Sequence, residues 1–289
     1  SNKRNQRILK PFDWPTKCTT GIWEKKMGRT LVCFGCIPNT LNKCVVYVLN
    51  RNTLVLETKW LYLLLNLGTL SVPFLRSFEP RIAYYKSFGS LAKAMLIVSG
   101  FFIVWDIWFT ELGVWGFTPA YLSGIYLFGL PLGEYLFFIT VPFSCVFIYK
   151  CLELFFPKGI ITQKLAGKIS QLLIPFSLAV GIISYDKYYT ASTFILLGIA
   201  LIYVSWIAKC SWLPRFYECY PLALIPFFIK NGILTGSFLE TQVVWYNNSE
   251  NLGIRLGTIP FEDIFYGMLL ILGTLYFYEK FEATRQSRL

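Results

Sequence analysis

The sequence predicts an all-α integral membrane protein of about seven transmembrane helices, arranged as two parallel three-helix repeats plus a linking helix. Three observations carry that expectation. The composition is too apolar for a water-soluble core, the basic residues gather in alternate loops, and a segment near residue 130 recurs near residue 260.

Apolar residues make up 55% and charged residues 15% of the 289, against about 45–50% and about 25% in soluble domains. Long apolar runs alternate with short polar connections, at 60–78, 91–109, 130–151, 172–185, 191–207, 220–229 with its flanks, and 264–278. A helical crossing needs roughly 17–25 such residues. The fourth run is short, and Pro175, Pro221 and Pro226 interrupt the fourth and sixth, which sets a range of about six to eight crossings. A large soluble helical core would show polar faces at helical spacing, and these runs lack them.

The net charge of +11 resembles a nucleic-acid signal until it is located. Arg76, Arg81, Lys86 and Lys93 flank the first loop, and Lys150, Lys158, Lys164 and Lys168 the third. Lys209 and Arg215 mark the fifth, and Lys280, Arg285 and Arg288 the tail. The second loop is free of basic residues, the fourth has Lys187, and the sixth has Lys230 and Arg255. This is the positive-inside asymmetry. It predicts a multi-pass protein of the cell membrane with odd loops and C-terminus in the cytoplasm, a lipid bilayer as partner, and no nucleic acid.

Residues 1–58 contradict that scheme, since their dense positive charge would lie outside. They lack a signal-peptide apolar core and change composition sharply before Trp60. They read as a basic extension, either carrying a further crossing or foreign to the membrane unit, with the two repeats at 59–156 and 157–289. Cys33 and Cys36 have the spacing of half a zinc site, but Cys18 and Cys44 are no close pair, so free thiols are expected and no metal. Cys145, Cys151, Cys210 and Cys219 read as apolar helix residues.

The chain contains no histidine. That removes Ser-His-Asp and Cys-His catalysis and His-rich metal centres. No glycine-rich dinucleotide fingerprint follows a strand, and no phosphate-binding loop motif occurs, so no flavin, nicotinamide or other cofactor is expected. Chemistry would rest on carboxylates, hydroxyls, aromatics and arginine.

The repeat supplies the carboxylates. The fourteen residues from Gly124 to Phe137 align without gaps to those from Gly253 to Tyr266, pairing Pro131 with Pro260, Glu134 with Asp263 and Phe137 with Tyr266. Trp115 and Trp245 precede the two copies at nearly equal distance. Each proline stands where a helix begins and its missing N–H is harmless. The acids follow in the first turn, where free N–H groups and the positive dipole end favour an anion. Helix capping alone would account for a single motif. The predicted topology, however, brings Glu134, Glu262 and Asp263 to one depth, with Asp106 at the far end of the second helix and Asn231 after the sixth. Ionisable groups are expensive within a bilayer and usually mark a functional site.

At these residues the chain resembles the non-flavin lycopene cyclases, a family heterodimeric in some bacteria and fused to phytoene synthase in fungi. The resemblance covers roughly residues 60–281 and is most specific at Trp105-Asp106, at Gly113 through Phe117, at Pro131-Leu132-Gly133-Glu134 through Phe138, at Ile254-Arg255, at Thr258 through Asp263, and at Phe265-Tyr266-Gly267. The family pattern after the first proline is Leu-Glu-Glu, so Gly133 stands in place of an acid, whereas Glu262 and Asp263 keep the second pair.

The resemblance implies redox-neutral cyclisation of the ψ ends of lycopene, an isomerase-class reaction of carotenoid biosynthesis, expected to give β rings. An acid protonates the terminal double bond, an internal double bond attacks the cation, and a proton is lost. It implies Glu134, Glu262, Asp263 and Asp106 as catalytic residues. Trp105, Trp115, Phe137, Phe138, Arg255 and Tyr266, with Trp108 nearby, would contact substrate or stabilise the cation. Implied partners are lycopene or a related acyclic carotenoid and other carotenoid enzymes. The adjacent acids Glu262 and Asp263 are expected to donate the proton, because like charges side by side hold a proton between them. Glu134 is left the electrostatic or accepting role, and restoring Glu at position 133 is expected to raise activity or leave it unchanged. A carotenoid hydratase, a proton-coupled transporter and a non-catalytic homologue are the competing readings. Deleting residues 1–58 is expected to leave membrane insertion intact, as read by fractionation of the truncated protein.

Overall fold

The computed structural model describes residues 58–287 and, before them, three short strands. The chain divides into two compact units, Ser1–Val55 and Leu56–Leu289. In the first, β1 (Ile22–Lys25), β2 (Arg29–Val32) and β3 (Tyr47–Val48) form an antiparallel sheet in that order. Cys18, Cys33, Cys36 and Cys44, and the tail charge Arg288, lie outside the described residues.

The second unit holds seven α-helices among the described residues, one for each apolar run. They are α1 (Leu61–Arg76), α2 (Phe88–Glu111), α3 (Leu132–Phe155), α4 (Gln163–Ile183), α5 (Tyr188–Ile202), α6 (Leu213–Leu234) and α7 (Phe261–Gln286). A π-helical turn, Tyr203–Ile207, extends α5. The fourth run lengthens because the Thr162 hydroxyl accepts the Leu165 N–H at 3.2 Å and starts the helix early. The sixth continues through Pro221 and Pro226. Ending a helix in apolar surroundings would strand more backbone groups than a proline does. Lys230 is therefore no loop charge, as its place beside the sixth loop suggested. It lies inside α6, only 7% exposed.

Outward-facing residues are apolar along most helices. Leu75, Leu96, Leu172 and Ile183 are all more than two-thirds exposed, a surface that water does not tolerate over so large a patch. Five helical stretches are long and apolar enough to cross a membrane: Tyr84–Glu111, Leu132–Phe155, Gln163–Ile183, Tyr188–Ile207 and Phe261–Gln286. The protein is thus an all-α membrane protein. Helix α1 is shorter, with 16 residues, or about 24 Å at the rise of an α-helix.

The sequence repeat has a structural counterpart. Ahead of α3, β5 (Tyr126–Leu127) turns into β6 (Leu130–Pro131); ahead of α7, β8 (Arg255–Leu256) turns into β9 (Ile259–Pro260). Both are two-residue hairpins, whose turns require positive φ, met at Phe128 and Gly129 in one and at Gly257 in the other. Gly124 and Gly253 enter these hairpins with φ of 83° and 71°, a conformation that favours glycine. In each copy the first helical N–H finds a strand-side carbonyl, Leu132 on Ile125 and Phe261 on Ile254, both at 2.9 Å. Helix α1 packs on α3 as α5 packs on α7, while α2 crosses to α7 and α6 to α3. A short ladder, β4 (Trp115–Phe117) with β7 (Val244–Tyr246), ties the two hairpin ends together.

The α1–α3 contact explains Gly133. A Cβ there would meet the Tyr62 ring at 2.5 Å, and Asn66 Nδ2 donates to the Gly133 carbonyl at 2.9 Å. The space for an acid is filled by Tyr62, so restoring one is not the neutral change expected above. Gly133→Glu is expected to destabilise the protein by about 1–3 kcal/mol and to lower its thermal midpoint in detergent.

Candidate active site

Glu134 and Asp263 are each the third residue of their helix, α3 and α7. Their side chains point into the bundle, and each meets a tyrosine from the second position of a neighbouring helix. Tyr62 of α1 donates its hydroxyl hydrogen to Glu134 Oε2. Tyr189 of α5 donates to Asp263 Oδ1 at 2.6 Å. The two halves therefore build the same tyrosine–carboxyl device, one per repeat.

Beyond that device the halves differ. Asp263 receives two further donors on Oδ2, the Asn231 side-chain amide at 2.8 Å and the Tyr246 hydroxyl at 3.0 Å. Its two oxygens are thus met by two tyrosine hydroxyls and an amide. Glu134 instead has a second carboxyl, that of Asp106 from α2, as its neighbour. The Trp115 indole N–H donates to Asp106 Oδ1, while Asp106 Oδ2 is buried without a hydrogen-bond partner among the described residues.

A basic group completes this end. Lys230 Nζ donates to Asn66 Oδ1 at 2.9 Å and sits 4.5 Å from the centre of the Phe137 ring. Asn66 is held in turn: its amide donates to the Tyr62 and Gly133 carbonyls, and its Oδ1 also accepts the Thr140 hydroxyl, all at 2.9 Å.

These groups form the polar end of a cavity that adjoins about 1070 Å³ of space free of protein atoms. Away from the acids the lining turns apolar along α3, α6 and α7, through Val141, Ile148, Leu224, Phe227, Leu270 and Ile271. A convergent polar cluster closing an apolar pocket is the usual form of a small-molecule site. Here the polar end suits proton transfer and the rest suits a hydrocarbon.

Of the residues singled out from sequence, Asp106, Glu134, Asp263, Trp115, Phe137 and Tyr266 line this cavity. Trp115 and Tyr266 have ring centres 6.1 Å apart, and the Tyr266 hydroxyl is buried without a partner among the described residues. Trp105 packs behind Tyr266 at 5.1 Å, and Phe138 behind Phe102 at 6.0 Å, neither reaching the cavity. Trp108 faces outward, 55% exposed.

Glu262 and Arg255 also lie elsewhere. Glu262 Oε1 accepts the Thr190 hydroxyl and the Leu252 N–H, both at 2.7 Å, and so anchors the loop ahead of β8. Arg255 donates to the Thr258 carbonyl at 3.1 Å and to Asn248 Oδ1 at 2.8 Å, with its guanidinium 5.6 Å from the Tyr246 ring centre. Sequence reasoning missed Tyr62, Tyr189, Tyr246, Asn66 and Lys230. The first two carried a signal: they are separated by nearly the same interval as the repeated prolines, so extending the repeat backward would have paired them.

The model of a protein family described as lycopene cyclase matches the chain in two segments, residues 59–152 and 186–281. The first spans α1 to most of α3, the second α5 to most of α7, and α4 lies between them. No curated protein and no solved structure matches the chain. With two matched segments that together span well over half its length, each built around a hairpin, a proline and a buried acid, the chain belongs to the lycopene cyclase family.

Proposed function

We propose that the protein cyclises the ψ ends of lycopene to β rings by redox-neutral acid catalysis, with Asp106 and Glu134 as the proton-donating pair and Asp263 as the carboxylate that steadies the cation and takes a proton back. The observation that carries this reading is the meeting of two carboxyls, one with an unpartnered oxygen, in a cavity lined elsewhere mostly by apolar side chains. Two neighbouring carboxyls cannot comfortably ionise together, and one proton shared between them relieves the repulsion. That proton is available to an alkene pressed against the pair. The assignment differs from the adjacent acids Glu262 and Asp263 favoured by sequence, because Glu262 is turned away to anchor a loop.

The reaction needs no electron transfer. The proton forms a new C–H bond at the terminal double bond and leaves a tertiary cation. The internal double bond attacks it, closing the ring and moving the charge along the chain. Loss of a ring proton to Asp263 leaves the carotenoid neutral, and passage of that proton from Asp263 back to the Asp106–Glu134 pair resets the site for the next turnover. Trp115 and Tyr266 line the cavity, and a cation over such a ring is stabilised by about 0.5–2 kcal/mol. Proton donation by a positioned acid contributes about 10²–10⁴-fold.

The same reading takes the membrane unit as two three-helix repeats, 59–156 and 157–289, with α4 as the linker, seven crossings in all, in the cell membrane with a cytoplasmic C-terminus. Matching hairpins, matching tyrosine–acid pairs and the double family match support the duplication. With Lys230 withdrawn from the loops, the charge asymmetry on which the orientation rests becomes steeper.

Expressing the full chain in a bacterium that accumulates lycopene tests the activity. Cyclised carotenoid is expected on pigment chromatography without added flavin or nicotinamide, and unchanged lycopene beside correctly inserted protein would reject it. Isosteric amides test the roles. Asp106→Asn and Glu134→Gln are each expected to lower turnover by about 10²-fold or more, and Asp263→Asn to slow it and change the ring isomer. Glu262→Gln is expected to reduce thermal stability while keeping most turnover, and a dead but stable Glu262→Gln protein would return that residue to the chemistry. A C-terminal reporter is expected to be active on the cytoplasmic side.

A further inference from the structure

The duplicated frame is symmetric in its backbone devices and unsymmetric in charge. Asp106 near the end of α2 and Asn231 near the end of α6 stand in corresponding places, each beside the acid at the start of a partner helix, Glu134 for Asp106 and Asp263 for Asn231. The residues just before them correspond too. Trp105 packs on Tyr266 at 5.1 Å, and Lys230 lies over Phe137 at 4.5 Å, where Tyr266 and Phe137 are themselves repeat partners. One half thus pairs a carboxyl with an amide and an indole, the other a carboxyl with a second carboxyl and an ammonium group.

Lys230 is the one cation among the described residues that line the cavity. Burying its four-carbon stem and charge is costly without compensation, and the compensation is specific. Asn66 Oδ1 accepts from Nζ at 2.9 Å, the Phe137 ring face lies below it, and the carboxyl of Glu134 is within electrostatic reach. Because Asn66 is itself held by Tyr62, Gly133 and Thr140, the ammonium group has little freedom to drift.

We propose that Lys230 is a positioning residue of the cyclisation: its ammonium group is the fixed counter-charge of the Asp106–Glu134 pair. This rests on the reading of that pair as the proton donor. With one proton the pair carries a single negative charge that Lys230 balances. When the proton forms its C–H bond the pair becomes doubly charged, and a fixed cation beside it stabilises that product of the transfer in a water-poor site. Lys230 neither gives nor receives a proton.

The test compares Lys230→Met and Lys230→Arg with the unaltered full chain in membranes supplied with lycopene, alongside Lys168→Met, an exposed control. Lys230→Met is expected to lower the maximal rate by about 10²-fold with half-saturation little changed. Lys230→Arg is expected to recover part of the rate. Adding Asp106→Asn to Lys230→Met is expected to cost far less than it does alone, because the pair is then left with one carboxyl and needs no counter-charge. Cyclisation by Lys230→Met at the unaltered rate overturns the role of Lys230 while leaving the cyclase reading intact. An equal loss in Lys230→Met and Lys230→Arg, with fully additive effects in the double variant, reduces Lys230 to packing. Absence of product from the unaltered, inserted chain overturns the underlying cyclase reading instead.

Discussion

Tyr62 on Glu134 and Tyr189 on Asp263 are the contacts on which the arrangement of the bundle turns. Leaving a carboxyl oxygen inside an apolar helix bundle without a donor is costly. Each of these two tyrosines comes from the start of a different helix than its acid. Satisfying the acids therefore locks α1 against α3 and α5 against α7. The close approach of α1 to α3 requires a residue without a side chain at Gly133, whose would-be Cβ lies only 2.5 Å from the Tyr62 ring. The hairpins ahead of α3 and α7 set where each acid stands, because Pro131 and Pro260 end the last hairpin strand and start the helix at once.

The two copies of this device differ in what surrounds them, and the proposed chemistry rests on that difference. Two identical acceptor carboxylates would leave no proton to give. Substitution at one pair of corresponding positions, Asp106 against Asn231, provides a carboxyl pair in one half and a fully solvated-by-protein carboxylate in the other. The aromatic residues between them, Trp115, Tyr189, Tyr246 and Tyr266, form a contiguous set with ring centres 5.0–6.2 Å apart.

Glu262 and Gly133 illustrate how a paired-acid motif divides its labour. Glu262 holds Leu252 and Thr190 together behind Asp263, a structural duty. In the other half the same place in the motif is taken by Gly133, whose surroundings are filled by Tyr62 and bonded by Asn66. In the first half, therefore, no side chain stands where Glu262 anchors its loop, while Glu134 faces the cavity as Asp263 does.

Much of this was legible in the sequence because it depends on local order. Apolar runs, prolines that begin helices, and glycines that turn hairpins act over a few residues, so the seven helices, the repeat and three of the cavity carboxyls could be read directly. The direction each acid faces could not. Glu262 and Asp263 are adjacent in the chain, yet one step along a helix turns a side chain by about 100°, and only the packing of α5 and α6 decides which one meets the cavity. Lys230 likewise read as a loop charge because its neighbours are a proline-broken run and a glycine. The tertiary structure made it a buried residue, since α6 continues inside the bundle and Asn66, far away in sequence, supplies the oxygen that holds it.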